Sequence, residues 1–266
     1  MLNKIKDLLK AEGITQIGML DINECIVINN RLMPEDVKSA IMFAIPYRST
    51  TEIASDGFSE YARVYDYHKF ASLLFEKTLK KLNDACEYDF YGFCDHSPIN
   101  EKLAIAKCGL GTIGKNSLYL DNVYGSFVFI GTILTNAPTE ERPYEIKSCI
   151  NCGKCVSSCP NSAITENGID VSRCLSAISQ KKKKNDEEFA ILKANNIAWG
   201  CDICQLVCPY NIGAKISPLP YFKNSRSDYI NDDFINNLSD EEFSKYAFAY
   251  KGRKLIIDNI NNLEDK

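Results

Sequence analysis

Residues 2–12 carry Leu2, Ile5, Leu8 and Leu9 at helical spacing, and the pattern stops at Gly13, a residue suited to ending a helix. ITQIGML at 14–20 then reads as a strand. Residues 39–46, SAIMFAIP, form a short apolar run closed by Pro46, the pattern of a buried strand. From Glu60 to about Cys86 the apolar positions Tyr61, Val64, Phe70, Leu74 and Leu82 keep helical period; they predict the longest helix, with Lys77, Lys80 and Lys81 on a solvated face. A short strand over DFYGFCD follows, then a helix from about Ile99 to Gly109 and the turn CGLGTIGKN. Residues 117–120 and 126–135, joined by DNVYG, read as a hairpin. Near the end, Ser239 and Glu242 of SDEEF form a capping box that opens a helix to about Tyr250, and KGRKLIIDNINNL predicts a second short helix.

The densest chemistry lies between 149 and 208, where eight of the twelve cysteines fall. CINCGKCVSSCP spaces Cys149, Cys152, Cys155 and Cys159 by three, three and four, with Pro160 next, which is the bacterial ferredoxin spacing. Two residues between cysteines let a tight loop offer three thiolates to one cubane. The wider gap and the proline turn the fourth toward another. Cys174 and the run CDICQLVCPYN, with Cys201, Cys204 and Cys208 before Pro209, repeat the pattern with one stretched arm. The spacing predicts two 4Fe-4S clusters with a crossed ligand set: Cys149, Cys152, Cys155 and Cys208 for the first, and Cys174, Cys201, Cys204 and Cys159 for the second. Structural zinc and a disulfide framework are the competing readings. Zinc leaves the two Cys-Pro endings without a use, and no secretory signal opens the chain.

With 266 residues, 45% hydrophobic and 25% charged, the chain has the composition of an ordinary soluble protein able to bury a core. Its cysteines, bunched at metal-binding spacing, suggest a reducing compartment and a cytoplasmic protein. No run of eighteen apolar residues predicts a membrane span. The net charge of -4 gives no global basic field for nucleic acid, which leaves only local patches such as Lys181–Lys184 and Arg253. The KKKKNDEE run itself reads first as a solvated loop or helix start.

Gly109, Gly111 and Gly114 invite comparison with a dinucleotide fingerprint, but here a helix precedes the turn and a strand follows it, the reverse of the required context. The glycines still permit close approach of backbone to a flat or phosphate-bearing ligand.

The segment CDHSPINEKLAIAKCGLGTIGKNSLYL, followed by GSFVFIGTILT and the two cysteine runs, resembles the epoxyqueuosine reductase family, cobalamin-dependent iron-sulfur enzymes of tRNA modification. The resemblance covers roughly residues 60–215 and implies an α+β protein. It divides the chain into a cobalamin-binding-like, α/β catalytic domain at 1–143, a double-cluster ferredoxin-like domain at 144–225 and a short helical tail at 226–266. It implies that Asp95, in D-H-S-P-I-N-E-K with Glu101 and Lys102, donates a proton beside the cobalt. It further implies cofactor contacts from Asp66, Tyr67 and His68, from Gly109, Gly111, Ile113, Gly114, Lys115 and Asn116, and from Ser126 between Gly125 and Phe127. Thr112 stands where the family usually has tryptophan, and the loop between Asp21 and Pro34 is short. The helical-repeat domain that grips tRNA in the family is expected to be missing here, with only its threshold at KGRKLIIDNINN.

The implied activity is reduction of epoxyqueuosine to queuosine in tRNA, with electrons from an external donor such as flavodoxin or ferredoxin. Two other readings fit the same residues. One is a two-cluster electron carrier, which leaves the first 143 residues idle, and the other is a corrinoid-dependent reductase of a small molecule, like the related reductive dehalogenases.

Overall fold

The computed structural model describes residues 2–264 and divides the chain into two compact units. The first comprises the stretch ending at Pro46, Tyr67–Gly114 and Leu118–Ile150; the second comprises Tyr47–Asp66, Lys115–Ser117 and the chain from Asn151 on.

In the first unit the opening helix is α1 (Leu2–Ala11), with Ile5 and Leu9 fully buried, and Gly13 takes the positive φ of 86° expected after it. Strands β1 (Ile17–Asp21) and β2 (Ser39–Pro46) follow, then α2 (Tyr67–Asn83), β3 (Phe90–Cys94), α3 (Glu101–Lys107), β4 (Gly111–Ile113), β5 (Tyr119–Asp121) and β6 (Val128–Thr135). Four of the strands form an antiparallel sheet in the order β1-β2-β6-β3. Every residue of β2 is buried, because it is an inner strand covered on both faces. Its Ala40, Met42 and Ala44 join Ile105 and Ala104 of α3 in one core, while Phe43 points the other way and meets Phe75 of α2 edge-on at 6.2 Å.

Two sequence expectations fail here for reasons the structure supplies. The long helix starts at Tyr67, not Glu60: a short 3-10 turn over Glu60–Arg63 gives way to extended backbone because the Tyr65 N–H donates to Ser225 Oγ and the Asp66 N–H to the Lys245 carbonyl. The expected hairpin of 117–120 with 126–135 does not form. Both edges of β6 are taken by β2 and β3, so β5 folds back onto β4, and Asp121 Oδ1 accepts the N–H groups of Val123 and Tyr124 to turn the chain.

The second unit carries short elements between its cysteines: α4 (Lys154–Ser157), β7 (Ile164–Thr165), β8 (Gly168–Ile169), α5 (Leu175–Ser179), α6 (Asp186–Ala194) and α7 (Ile203–Leu206). Four helices close it, α8 (Pro220–Ser225), α9 (Asp232–Asn237), α10 (Asp240–Phe243) and α11 (Arg253–Glu264). The Ser239–Glu242 capping box is present, but α10 ends at Phe243 rather than near Tyr250. Ile235, Phe243, Ile256 and Ile260 from these helices pack with Phe58 and the fully buried Trp199, two residues before Cys201. A buried charge network ties this core to the 56–63 stretch: the Arg63 guanidinium pairs with Asp56 and reaches the carbonyls of Phe58, Ser227 and Asp228, and Arg226 holds Glu60 at 2.7 Å.

Candidate functional site

In the second unit α5 and α7 carry their cysteines at or just before the helix start, where a short turn can present a thiol. The structure brings together Cys159, Cys174, Cys201 and Cys204: the charges of Cys174 and Cys159 act on Cys201, and those of Cys201 and Cys174 act on Cys204. Burial pushes the Cys201 and Cys204 thiols up to about 12, against the pull of the Ile203 N–H on the first and of the Asn116 side chain on the second. Thiols that water does not stabilise as anions suit ligation to iron, where the metal replaces the proton. Among the described residues no three His, Cys, Asp or Glu side chains close on a single ion. Cys152 is exposed, and Cys155 and Cys208 are half-buried in the same unit; Cys149 is half-buried near the end of the first. Cys25 and Cys108 lie in the other core, where burial raises them to about 11 and about 12 and keeps them neutral.

The first unit holds an open cavity of about 450 Å³. Its apolar wall comes from Ile28, Ile99 and from Val128, Phe129 and Ile130 of β6; its polar groups are Asp95, Glu101, Lys102 and Ser126. Asp95 sits in the loop between β3 and α3 with a left-handed φ of 67°, unusual for a residue with a Cβ. Its carboxylate, 49% exposed, accepts the Tyr67 hydroxyl and faces His68 Nε2 at 3.5 Å, and the Tyr67 ring stacks on Phe129 at 3.6 Å between centroids. Glu101, first residue of α3, accepts the Thr132 hydroxyl at 2.7 Å and the backbone N–H of Asp95. Burial pushes its carboxyl up to about 7, with the Asp95 charge adding to the rise. Burial lowers the neighbouring Lys102.

Of the residues expected to touch a cofactor, Ser126 lines this cavity, and Tyr67 and His68 reach its wall through Asp95. The glycine turn does not line it. A Cβ on Gly111 would lie 2.1 Å from the Leu120 carbonyl, and one on Gly109 would strike the Tyr144 ring, so the close approaches these glycines allow are to the protein itself. Ile113 and Gly114 continue the β4–β5 turn, where the Gly114 N–H donates to Leu118. Asp66, Lys115 and Asn116 fall in the second unit, and Asn116 serves Cys204 there.

The basic residues expected to hold phosphate are largely engaged. Lys181 pairs with Glu188, Lys184 donates to the Lys181 carbonyl and lies 5.6 Å over the Phe189 ring, and Arg253 binds carbonyls of Ile235 and Leu238. Lys182 and Lys183 are exposed. No helix among the described residues is long and apolar enough to cross a membrane.

Residues 148–211 match the model of a 4Fe-4S double cluster binding domain. An epoxyqueuosine reductase of Aliivibrio fischeri is 41% identical over 188 residues, 69% of this chain and 50% of its own length, so the chain spans about half of that relative. One from Lactococcus garvieae is 30% identical over 260 residues, 88% of this chain and 71% of the relative. The crystal structure of an epoxyqueuosine reductase with an epoxyqueuosine-modified tRNA-Tyr stem loop superposes with a TM-score of 0.83 at 21% identity, covering 98% of this chain and 80% of that one.

Proposed function

The chain belongs to the epoxyqueuosine reductase family, and from that premise we propose that it is a cobalamin-dependent iron-sulfur oxidoreductase that reduces epoxyqueuosine to queuosine in tRNA. It works in the cytoplasm on electrons from an external flavodoxin- or ferredoxin-like donor. The observation that carries the reading is the cavity of the first unit, an apolar wall with a carboxylate held at its edge, in a chain whose other unit gathers Cys159, Cys174, Cys201 and Cys204. An electron carrier has no use for such a cavity.

The donor set fits the groups proposed. Eight cysteines supply two cubanes, and the aliphatic side chains of Ile28, Ile99, Val128 and Ile130 with the Phe129 ring offer a flat macrocycle a dry face, with Ser126 beside it. When bound, cobalamin would supply reducing chemistry, and the clusters would supply electrons singly. The protein's own residues position and protonate. The apolar wall offers the substrate a surface to lie against beside the acid. Tyr67 and His68 fix the Asp95 carboxyl from one side, and the Glu101 contact to its N–H fixes the backbone from the other, so that Asp95 can give its proton to the leaving oxygen. Substrate RNA is held by local contacts, with the exposed Lys182 and Lys183 free of the pairing that occupies Lys181.

The test is to assemble the protein with iron, sulfide and cobalamin under anaerobic conditions, desalt it, and compare wild type with Asp95→Asn. Both are expected to retain corrin absorbance, and only wild type to convert epoxyqueuosine-bearing tRNA at an appreciable rate. Cobalamin passing through unretained would return the chain to the electron-carrier reading.

A further inference from the structure

The proposed reduction, on which this inference rests, has a proton requirement that one acid does not meet. Both C–O bonds of the epoxide break, a C=C bond forms, and the oxygen leaves as water; the step takes up two electrons and two protons. Asp95 provides for one. Its carboxylate is half exposed and already accepts the Tyr67 hydroxyl.

Glu101 stands beside it in the same cavity wall. The side chain is held from two directions, by the Thr132 hydroxyl of β6 at 2.7 Å and by the Asp95 N–H, and Thr132 itself is fully buried. That second contact holds the backbone of Asp95 in its left-handed conformation, which a residue other than glycine keeps only where neighbours impose it. Of the elements packed on α3, β2, β4 and β6 contain no titratable side chain, and β1 carries Asp21 at its end. The charged group that acts on Glu101 is Asp95, with Tyr67 and His68 acting through Asp95, and Lys102 and Tyr119 of β5 line the same cavity. Burial keeps much of Glu101 protonated at neutral pH.

We propose that Glu101 is the second acid of the cavity: it holds the Asp95 loop through its backbone N–H and returns a proton to the Asp95 carboxylate after Asp95 has protonated the leaving oxygen. Glu101 is then a positioning and proton-supplying residue acting through Asp95, and it regains its own proton from solvent through the open side of the cavity.

The experiment follows the carboxyl band of the holoprotein by infrared difference spectroscopy across pH, together with turnover of epoxyqueuosine-bearing tRNA, in wild type, Glu101→Gln, Glu101→Asp and Asp95→Asn. A wild-type band titrating near pH 7 is expected, absent from Glu101→Gln and shifted to lower pH in Asp95→Asn, where the neighbouring charge is gone. Glu101→Gln should retain both clusters and cobalamin yet lose about 100-fold in kcat, with KM little changed. Wild-type kcat should fall as pH rises through 7 and that fall should vanish in Glu101→Gln, while Glu101→Asp recovers part of the rate. A band that titrates in the ordinary glutamate range, or a Glu101→Gln enzyme with wild-type kcat and pH profile, overturns the proposal. If wild type reduces no epoxyqueuosine, the proposed function falls, and the infrared titration decides separately: a midpoint near 7 that does not respond to Asp95→Asn overturns the coupling, and one that shifts upholds it.

Discussion

Asn259, on α11, is 1% exposed, and its Nδ2 donates to the carbonyls of Ser179 at 2.8 Å and Ala198 at 2.7 Å. The first carbonyl ends the helix that starts after Cys174, and the second lies three residues before Cys201, so one side chain of the tail fastens the segments that carry these two cysteines. Asn259→Leu keeps the branched shape and removes both donors. Leaving a buried acceptor unpaired costs about 1–3 kcal/mol, so two cost about 2–6. Against this, the Asn259 Oδ1 is buried without a partner, and its removal recovers about 1–3 kcal/mol. The net expectation is one group's penalty, about 1–3 kcal/mol, or several degrees in the midpoint of thermal bleaching of the cluster absorbance. Release of iron to a chelator should quicken for the second cluster before the first. Asn259→Asp, which sets a carboxylate against two carbonyl oxygens, should be worse than Leu. A Leu variant that bleaches at the wild-type temperature and releases iron at the wild-type rate would refute the reasoning.

Cys159→Ser should erase the second cluster's electron paramagnetic resonance signal and spare the first; loss of only the first would break the crossed assignment. Gly111→Val should lower stability even without cobalamin, because the new side chain collides with the Leu120 carbonyl and parts β4 from β5, so an apoprotein melting as wild type would contradict this. Arg63→Met strands Asp56 and is expected to destabilise the second unit by about 3–5 kcal/mol, read as a lower midpoint in chemical unfolding. Glu101 has its folded value raised from 4.5 to about 7, so the native state binds more protons than the unfolded chain between those values. Stability should therefore fall as pH rises from about 4.5 to 7, and a thermal midpoint for Glu101→Gln that falls equally would contradict it.

Local rules carried far in this chain. The apolar run at 39–46 is the strand it predicts, Gly13 ends the first helix, and the Ser239–Glu242 box forms. Cysteine spacing pointed to the 149–208 stretch, where residues 148–211 match a 4Fe-4S double cluster binding domain. Expectations failed where a partner distant in sequence decided the outcome. Periodicity ran the long helix through Tyr65 and Asp66, whose N–H groups go to Ser225 and Lys245 instead. Strand propensity paired 117–120 with a strand that has no free edge. Charge counting offered Lys181, Lys184 and Arg253 to phosphate, although a carboxylate, an aromatic ring and carbonyl groups engage them. Asp95 stood out through its motif, whereas Glu101 needed the fold: nothing in the sequence places Thr132 against its carboxyl. Asn259 left no mark either, since an asparagine in an amphipathic helix reads as surface.

Conversion of epoxyqueuosine to queuosine in RNA is read by nucleoside mass analysis after a single anaerobic turnover. Reduced, cobalamin-loaded protein is incubated with epoxyqueuosine-bearing tRNA or its isolated anticodon stem-loop, and the RNA is then digested. Queuosine is expected from both RNAs with wild type and almost none with Asp95→Asn. Unchanged epoxyqueuosine in both RNAs, alongside reduction of a small electrophile by the same preparation, would contradict it.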